Sequence, residues 1–141
     1  MDTQTTATAI QKAIGAHAAW KLKFRVAPRT GALPAPVETI AADDQCAFGR
    51  LLAALAPELE GDPDFRAVRV LHADFHANAG RLAQVIVAGD SERVAFELGA
   101  GGSFEKRALA LSARLADWRI KLKYRSGPTG ALPVSRCCAR N

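Results

Sequence analysis

The segment from Pro63 to Val87 constrains the fold most, because its apolar residues recur at alternating steps of three and four. That spacing places them along one face of an α-helix and not along one face of a strand. The stripe consists of Phe65, Val68, His72, Phe75, Ala79, Leu82 and Ile86. The pattern therefore predicts a long helix with one buried face, and it places a histidine within that face.

Two earlier segments indicate further helices. Residues 6–25 have apolar side chains at helical spacing, and His17 lies on the same face. A second helix is predicted to begin at Asp43 or Asp44, either of which can cap it, with Cys46 in its first turn. Between the two, residues 26–36 contain three prolines and a glycine, which predicts a loop.

The last predicted helix runs from about residue 104 to 122, with Ser103 as its N-cap. Residues 88–103 are expected to form a turn, a short helical piece and a glycine-rich break. Alanine and leucine are abundant, and no segment has convincing strand alternation. The predicted fold is all-α, an antiparallel four-helix bundle with an additional short helix.

The chain is expected to contain one domain, a helical bundle over residues 1–125, followed by a flexible tail over 126–141. The chain contains a local repeat: "KLKFRVAPRTGALP" at 21–34 is similar to "KLKYRSGPTGALP" at 121–133. The two copies are interpreted either as similar helix terminators or as basic surfaces for an acidic partner.

Composition and charge limit the class of protein. No stretch reaches the roughly 20 apolar residues of a membrane span, and the N-terminus lacks the pattern of a secretory signal. Three cysteines, two of them the adjacent Cys137 and Cys138, do not form a disulfide framework and fit a reducing compartment. We therefore expect a cytoplasmic protein without a membrane partner. The net charge of +5 does not by itself indicate nucleic-acid binding, and none is expected.

The histidines and one cysteine suggest a metal site. His72 and His76 are one helical turn apart, and His17 also lies on an inward stripe. Cys46 is placed at a helix start, where the backbone N–H groups favour a thiolate. Three imidazoles and one thiolate form a complete tetrahedral set for Zn²⁺, although histidines that simply fill the core remain an alternative.

Three short motifs resemble the chemoreceptor zinc-binding domain, a bacterial regulatory helical module. They are "HAAW" at 17–20, "CAFGRLL" at 46–52 and "HADFHANA" at 72–79, in the order and approximate spacing of that family. Leu51 stands where the family commonly has a tryptophan. The resemblance covers roughly residues 10–120 and implies that His17, Cys46, His72 and His76 are the zinc ligands.

The resemblance also implies a function in signal transduction. Members are usually attached to chemoreceptor signalling domains or to domains that synthesise cyclic-di-GMP, and this chain has room for neither. We therefore expect a free-standing homodimer that acts on a partner of a chemotaxis or diguanylate cyclase pathway. Zinc occupancy, or oxidation of Cys46, is expected to be the signal, and no enzymatic activity is expected.

Two other functions remain open at this stage. If Cys46 points away, His17, His72 and His76 form an open three-histidine site that suits a zinc-dependent hydrolase. If no metal binds, the chain is a helical protein-interaction module. Among the nearby carboxylates, Asp74 is expected to face solvent rather than the histidines.

Overall fold

The computed structural model describes residues 2–126, and every structural statement concerns these residues. They form six α-helices and no strand, so the predicted all-α class is confirmed. The helices are α1 (Thr3–Thr30), α2 (Val37–Ala41), α3 (Ala47–Leu59), α4 (Pro63–Val87), α5 (Ser91–Leu98) and α6 (Ser103–Ser126). None of the helices in this range is long and apolar enough to cross a membrane. The predicted tail, with Cys137 and Cys138, lies almost entirely outside the described residues.

The three longest helices form the frame of the bundle, with α6 packed along both α1 and α4. Lys21 of α1 pairs with Glu105 near the start of α6, whereas Gln11 accepts a hydrogen bond from Arg119 near its end, so α1 and α6 are antiparallel. Helix α2 packs across α4, and α5 contacts all three long helices. The predicted antiparallel bundle is therefore present, with two short helices instead of one.

The centre of the bundle is filled mainly by aromatic and aliphatic side chains. The largest of the fully buried ones are Trp118, Phe24, Phe65, Phe75 and Phe104. A buried carboxylate, Asp64, accepts hydrogen bonds from Arg114 at 2.9 Å and Lys121 at 3.1 Å. Because a buried charge needs partners, these bonds fix the start of α4 against α6.

Helix α1 is longer than the sequence predicts. It includes Pro28 and continues to Thr30, where Gly31 ends it with a positive φ of 71°. A proline removes one backbone N–H, but the neighbouring Ala27 is fully buried and its carbonyl accepts from Gly31 N–H at 2.8 Å. Packing therefore extends the helix into the predicted loop, and the remainder of that loop leads into α2.

Ser103 is the first residue of α6 and not its N-cap, which corrects the prediction. Its hydroxyl accepts hydrogen bonds from Asn78 at 2.9 Å and from Arg107 at 2.5 Å. Its backbone N–H donates to the carboxylate of Glu97 at 3.2 Å. A carboxylate from the preceding helix thus accepts from the first backbone N–H of α6, at the positive end of the helix dipole.

The sequence repeat does not produce equivalent environments. Leu22 is 65% exposed, whereas its counterpart Leu122 is 5% exposed. Two residues later the difference in exposure is reversed, since Phe24 is fully buried and its counterpart Tyr124 is 69% exposed. The two copies therefore do not act as a repeated packing unit over residues 21–26 and 121–126.

A close approach between α2 and α4 depends on Gly80. A Cβ atom at this position would lie 2.6 Å from Ala41 Cβ and 3.0 Å from Ala41 Cα. That separation is too short for a methyl group, so only glycine allows α2 to lie this close to α4.

We expect Gly80→Ala to lower the free energy of unfolding by about 1–3 kcal/mol, because α2 must move away from α4. Gly15→Ala is the matched control, since Gly15 is also helical but a Cβ there meets nothing within 4 Å. The control should stabilise the protein by about 0.5–1 kcal/mol. Urea denaturation of both variants tests this, and equal stabilisation by the two substitutions would contradict the packing.

Candidate metal centre

Four side chains from three parts of the chain converge beside the core. His17 comes from α1, Cys46 precedes α3, and His72 and His76 come from α4. One nitrogen or sulfur atom of each lies within 4.8 Å of those of the other three. The structure thus brings together all four residues predicted as ligands, and the group can hold a metal ion.

Backbone carbonyls fix the orientation of two of the imidazole rings. Nδ1 of His17 lies 2.7 Å from the carbonyl oxygen of Ala13, and Nδ1 of His76 lies 2.8 Å from that of Ile40. A carbonyl oxygen only accepts hydrogen bonds, so each Nδ1 carries the proton and donates it. In the neutral rings, Nε2 of both histidines therefore has a free lone pair, the form that binds a metal.

The distances between the donor atoms suit a tetrahedral ion. Nε2 of His72 is 3.1 Å from Nε2 of His17 and 3.3 Å from Sγ of Cys46. Sγ of Cys46 is 4.0 Å from Nε2 of His17. Around a tetrahedral Zn²⁺ with ordinary bond lengths, these separations would be about 3.3 Å between nitrogens and about 3.6 Å between nitrogen and sulfur. Shifts of a few tenths of an ångström would bring these three distances to the values of a tetrahedral site.

One of the nitrogens that could bind a metal is buried without a partner in the described residues. Nε2 of His72 can donate to Nε2 of His17, but Nε2 of His76 has no hydrogen-bond partner in the described residues. His76 is 1% exposed, so this atom loses its hydration on folding. An orphaned buried acceptor costs about 1–3 kcal/mol, and a metal ion at the centre of the group would remove that cost.

Nδ1 of His72 is a second atom of the four side chains that is buried without a partner among residues 2–126. If Nε2 of His72 binds a metal, Nδ1 keeps the proton and has no acceptor there. His72 therefore lacks the carbonyl anchor that orients His17 and His76. Its position is set by packing, since the ring is fully buried with edge contacts to Phe48 and both other histidines.

Cys46 is itself the N-cap of α3, which corrects the prediction that Asp43 or Asp44 caps this helix. Sγ accepts a hydrogen bond from the backbone N–H of Gly49 at 3.3 Å. The preceding turn folds closely over the helix start, because a Cβ at Gly49 would lie 1.7 Å from the carbonyl oxygen of Asp43. The thiol thus takes the capping position that an aspartate was expected to fill, and the turn aims it at the histidines.

Carboxylates contribute little to the site. Asp74 is half exposed and pairs with Arg107 at 2.9 Å, as expected for a residue that faces away from the histidines. Burial lowers the pKa of His76, and the hydrogen bond to Ile40 and then the charge of Asp43 offset only part of this effect. The Nδ1–H groups of His17 and His76 donate to the carbonyls of Ala13 and Ile40 instead.

Sequence analysis missed four contributors to the site. Two are the backbone carbonyls of Ala13 and Ile40, which leave no trace in residue type. The other two are Gly49 and Gly80, and a glycine inside a helical pattern is a recognised signal of close backbone approach. Gly80 matters here because Ala41, which it accommodates, follows the residue whose carbonyl holds His76.

Burial lowers the pKa of all three imidazoles. The effect is largest for His72, whose pKa falls to about 3 because burial and then the neighbouring His76 and His17 disfavour its charged form. Phe48 and Phe75 present ring edges to His17 and keep the group dry. Metal binding requires neutral imidazoles, so the three histidines can bind a cation at neutral pH without first losing a proton.

The metal-free protein should lose stability as the pH falls from 7.5 to 5.0. The pKa of His72 is lowered on folding, so below about pH 6.5 the unfolded chain binds more protons than the folded protein. The folded state therefore loses stability as the pH falls below that value. For His72 alone, the loss between pH 7.5 and 5.0 is about 2 kcal/mol.

Urea denaturation in the presence of chelator measures this loss. The His72→Gln variant should show a pH dependence that is smaller by about 2 kcal/mol over the same interval. Equal pH dependence in the variant and the parent protein would contradict a neutral, buried His72.

Comparison with known proteins identifies no relative of this chain. No family model matches the chain, and searches of curated proteins and of solved structures find no significant match. The case for a metal centre therefore depends on the geometry of the four side chains.

Proposed function

We propose that this chain is a zinc-binding regulatory module, in which Zn²⁺ is held by His17, Cys46, His72 and His76. The observation that carries the proposal is the buried Nε2 atom of His76, which has no partner in the described protein and belongs to the group of four converging donors. The resemblance of the three motifs to the chemoreceptor zinc-binding domain supports the same set of ligands.

Zinc is the metal that best suits these donors. Three neutral imidazoles and one thiolate suit Zn²⁺, which has no geometric preference from its d electrons and accepts nitrogen and sulfur together. Calcium and magnesium prefer oxygen ligands, and no carboxylate oxygen belongs to the group of donors. Bound zinc would join α1, the start of α3 and α4 at one point.

A set of four protein ligands disfavours catalysis at the metal. A catalytic zinc keeps one position for water, whereas structural and regulatory sites are closed. The alternative of a three-histidine hydrolase requires Cys46 to point away. Its Sγ lies 3.3 Å from Nε2 of His72, which favours the closed site.

Cys46 is the ligand best placed to act as a switch. It is the partly exposed member of the group, whereas the three histidines are at most 5% exposed. A peroxide can oxidise its thiolate: sulfur attacks one peroxide oxygen, the O–O bond breaks, and Cys46 becomes a sulfenic acid while hydroxide leaves. Loss of the zinc–sulfur bond would remove the link between Cys46 and the three histidines, and we propose that a partner signalling protein, or the second chain of a homodimer, responds to that change.

Zinc titration of the metal-free protein tests the ligand set. One Zn²⁺ should bind per chain, and Cys46→Ala or His72→Ala should weaken the affinity by more than about 100-fold, because each removes a direct ligand. The binding is measured by competition with a chelating dye.

A control with Cys137→Ser and Cys138→Ser should bind zinc as the parent protein does, because these residues are not in the proposed set. Unchanged stoichiometry and affinity in both the Cys46 and His72 variants would refute the zinc site.

Peroxide should release zinc from the protein or weaken its binding through Cys46. In the background of Cys137→Ser and Cys138→Ser, treatment should lower the zinc affinity toward that of Cys46→Ala, and a reducing thiol should restore it. The Cys46→Ala variant should not respond to peroxide. A response of equal size in that variant would rule out Cys46 as the switch.

A further inference from the structure

An apolar cavity of about 280 Å³ lies between α1 and the start of α3, directly beside the candidate metal centre. Its walls are almost entirely carbon. The aromatic and large aliphatic part of the lining is Trp20, Phe48 and Leu51, and two of the proposed zinc ligands, His17 and Cys46, also border it.

The sequence of α1 explains why this space is open. The helix presents Ala9, Ala13 and Ala16 toward the cavity, at the i, i+4 and i+7 positions of one face. Methyl side chains cannot fill the distance to α3. The cavity therefore results from small residues on a regular helix and requires no distortion of the backbone.

Lys12 is the one residue of the lining with a full charge. Within residues 2–126, no carboxylate forms an ion pair with it. The cavity thus combines an apolar lining with one exposed lysine at its border, which has no ion-pair partner within residues 2–126.

We propose that this cavity binds a small amphipathic anion, with a hydrocarbon or aromatic body inside and a carboxylate at Lys12. Ligand pockets have this composition: an apolar lining with a few polar groups that fix orientation. The volume exceeds the 150 Å³ or so that accommodates benzene in an engineered cavity. An extended peptide is disfavoured, because its backbone amides would find almost no hydrogen-bond partners in this lining.

An occupant of this cavity would cover Cys46 from the α1 side. If the proposed zinc function holds, the ligand would limit access of oxidants to the thiolate and so modulate the same switch. The binding itself does not depend on zinc, since the lining is formed by helices that the core already holds together.

Calorimetric titration with octanoate tests the cavity, with and without zinc. We expect saturable binding of one octanoate per chain, with a Kd of about 1 mM or lower. Octanol, which lacks the carboxylate, should bind about threefold to fivefold more weakly, as should octanoate to Lys12→Met. Lys106→Met, which removes an exposed lysine of α6 outside the cavity, is the charge control and should bind as the parent protein does.

Ala16→Phe should abolish octanoate binding by filling the cavity. Its matched control is Ala19→Phe, also an exposed alanine of α1 but outside the lining, which should bind normally. Circular dichroism establishes that both variants are folded.

Bound octanoate should also slow alkylation of Cys46 by iodoacetamide at least twofold in metal-free protein that carries Cys137→Ser and Cys138→Ser. Absence of saturable binding, binding unaffected by Ala16→Phe, or binding that appears only as the chain dimerises would overturn the proposal. Failure of zinc to bind would leave octanoate binding intact, so the two proposals fail separately.

Discussion

Two hydrogen bonds from imidazole Nδ1 atoms to backbone carbonyls determine what the centre of this protein can do. They hold His17 against Ala13 and His76 against Ile40, and they fix the proton on the nitrogen that faces away from the centre. The opposite nitrogens then have no proton to donate to each other. Several acceptors that face one another in a dry interior are unfavourable, unless a cation or a donor lies among them.

The remaining features of the site follow from this constraint. Gly80 allows α2 to lie close enough to α4 for the carbonyl of Ile40 to reach His76. Gly49 allows the turn before α3 to fold over the helix, which directs Cys46 toward the histidines. A metal ion would therefore complete an arrangement that packing has already prepared, rather than create it.

The sequence predicts those features that depend on local periodicity. The stripe from Pro63 to Val87 gave the bounds of α4 and placed His72 on its buried face, because helical spacing is a property of neighbouring residues. Helix α2 and the extension of α1 through Pro28 were missed, since contacts with distant residues stabilise them. The capping role of Cys46 was also missed: caps are assigned from residue type, and cysteine is not among the usual ones.

X-ray absorption at the zinc edge, on zinc-loaded protein with Cys137→Ser and Cys138→Ser, identifies the atoms bound to the metal. We expect one sulfur at about 2.3 Å and three nitrogens at about 2.0 Å from the zinc ion. Replacement of Cys46 by alanine should remove the sulfur from the spectrum. A metal bound only through nitrogen and oxygen in the protein that retains Cys46 would contradict the account, because it would leave the thiol outside the site.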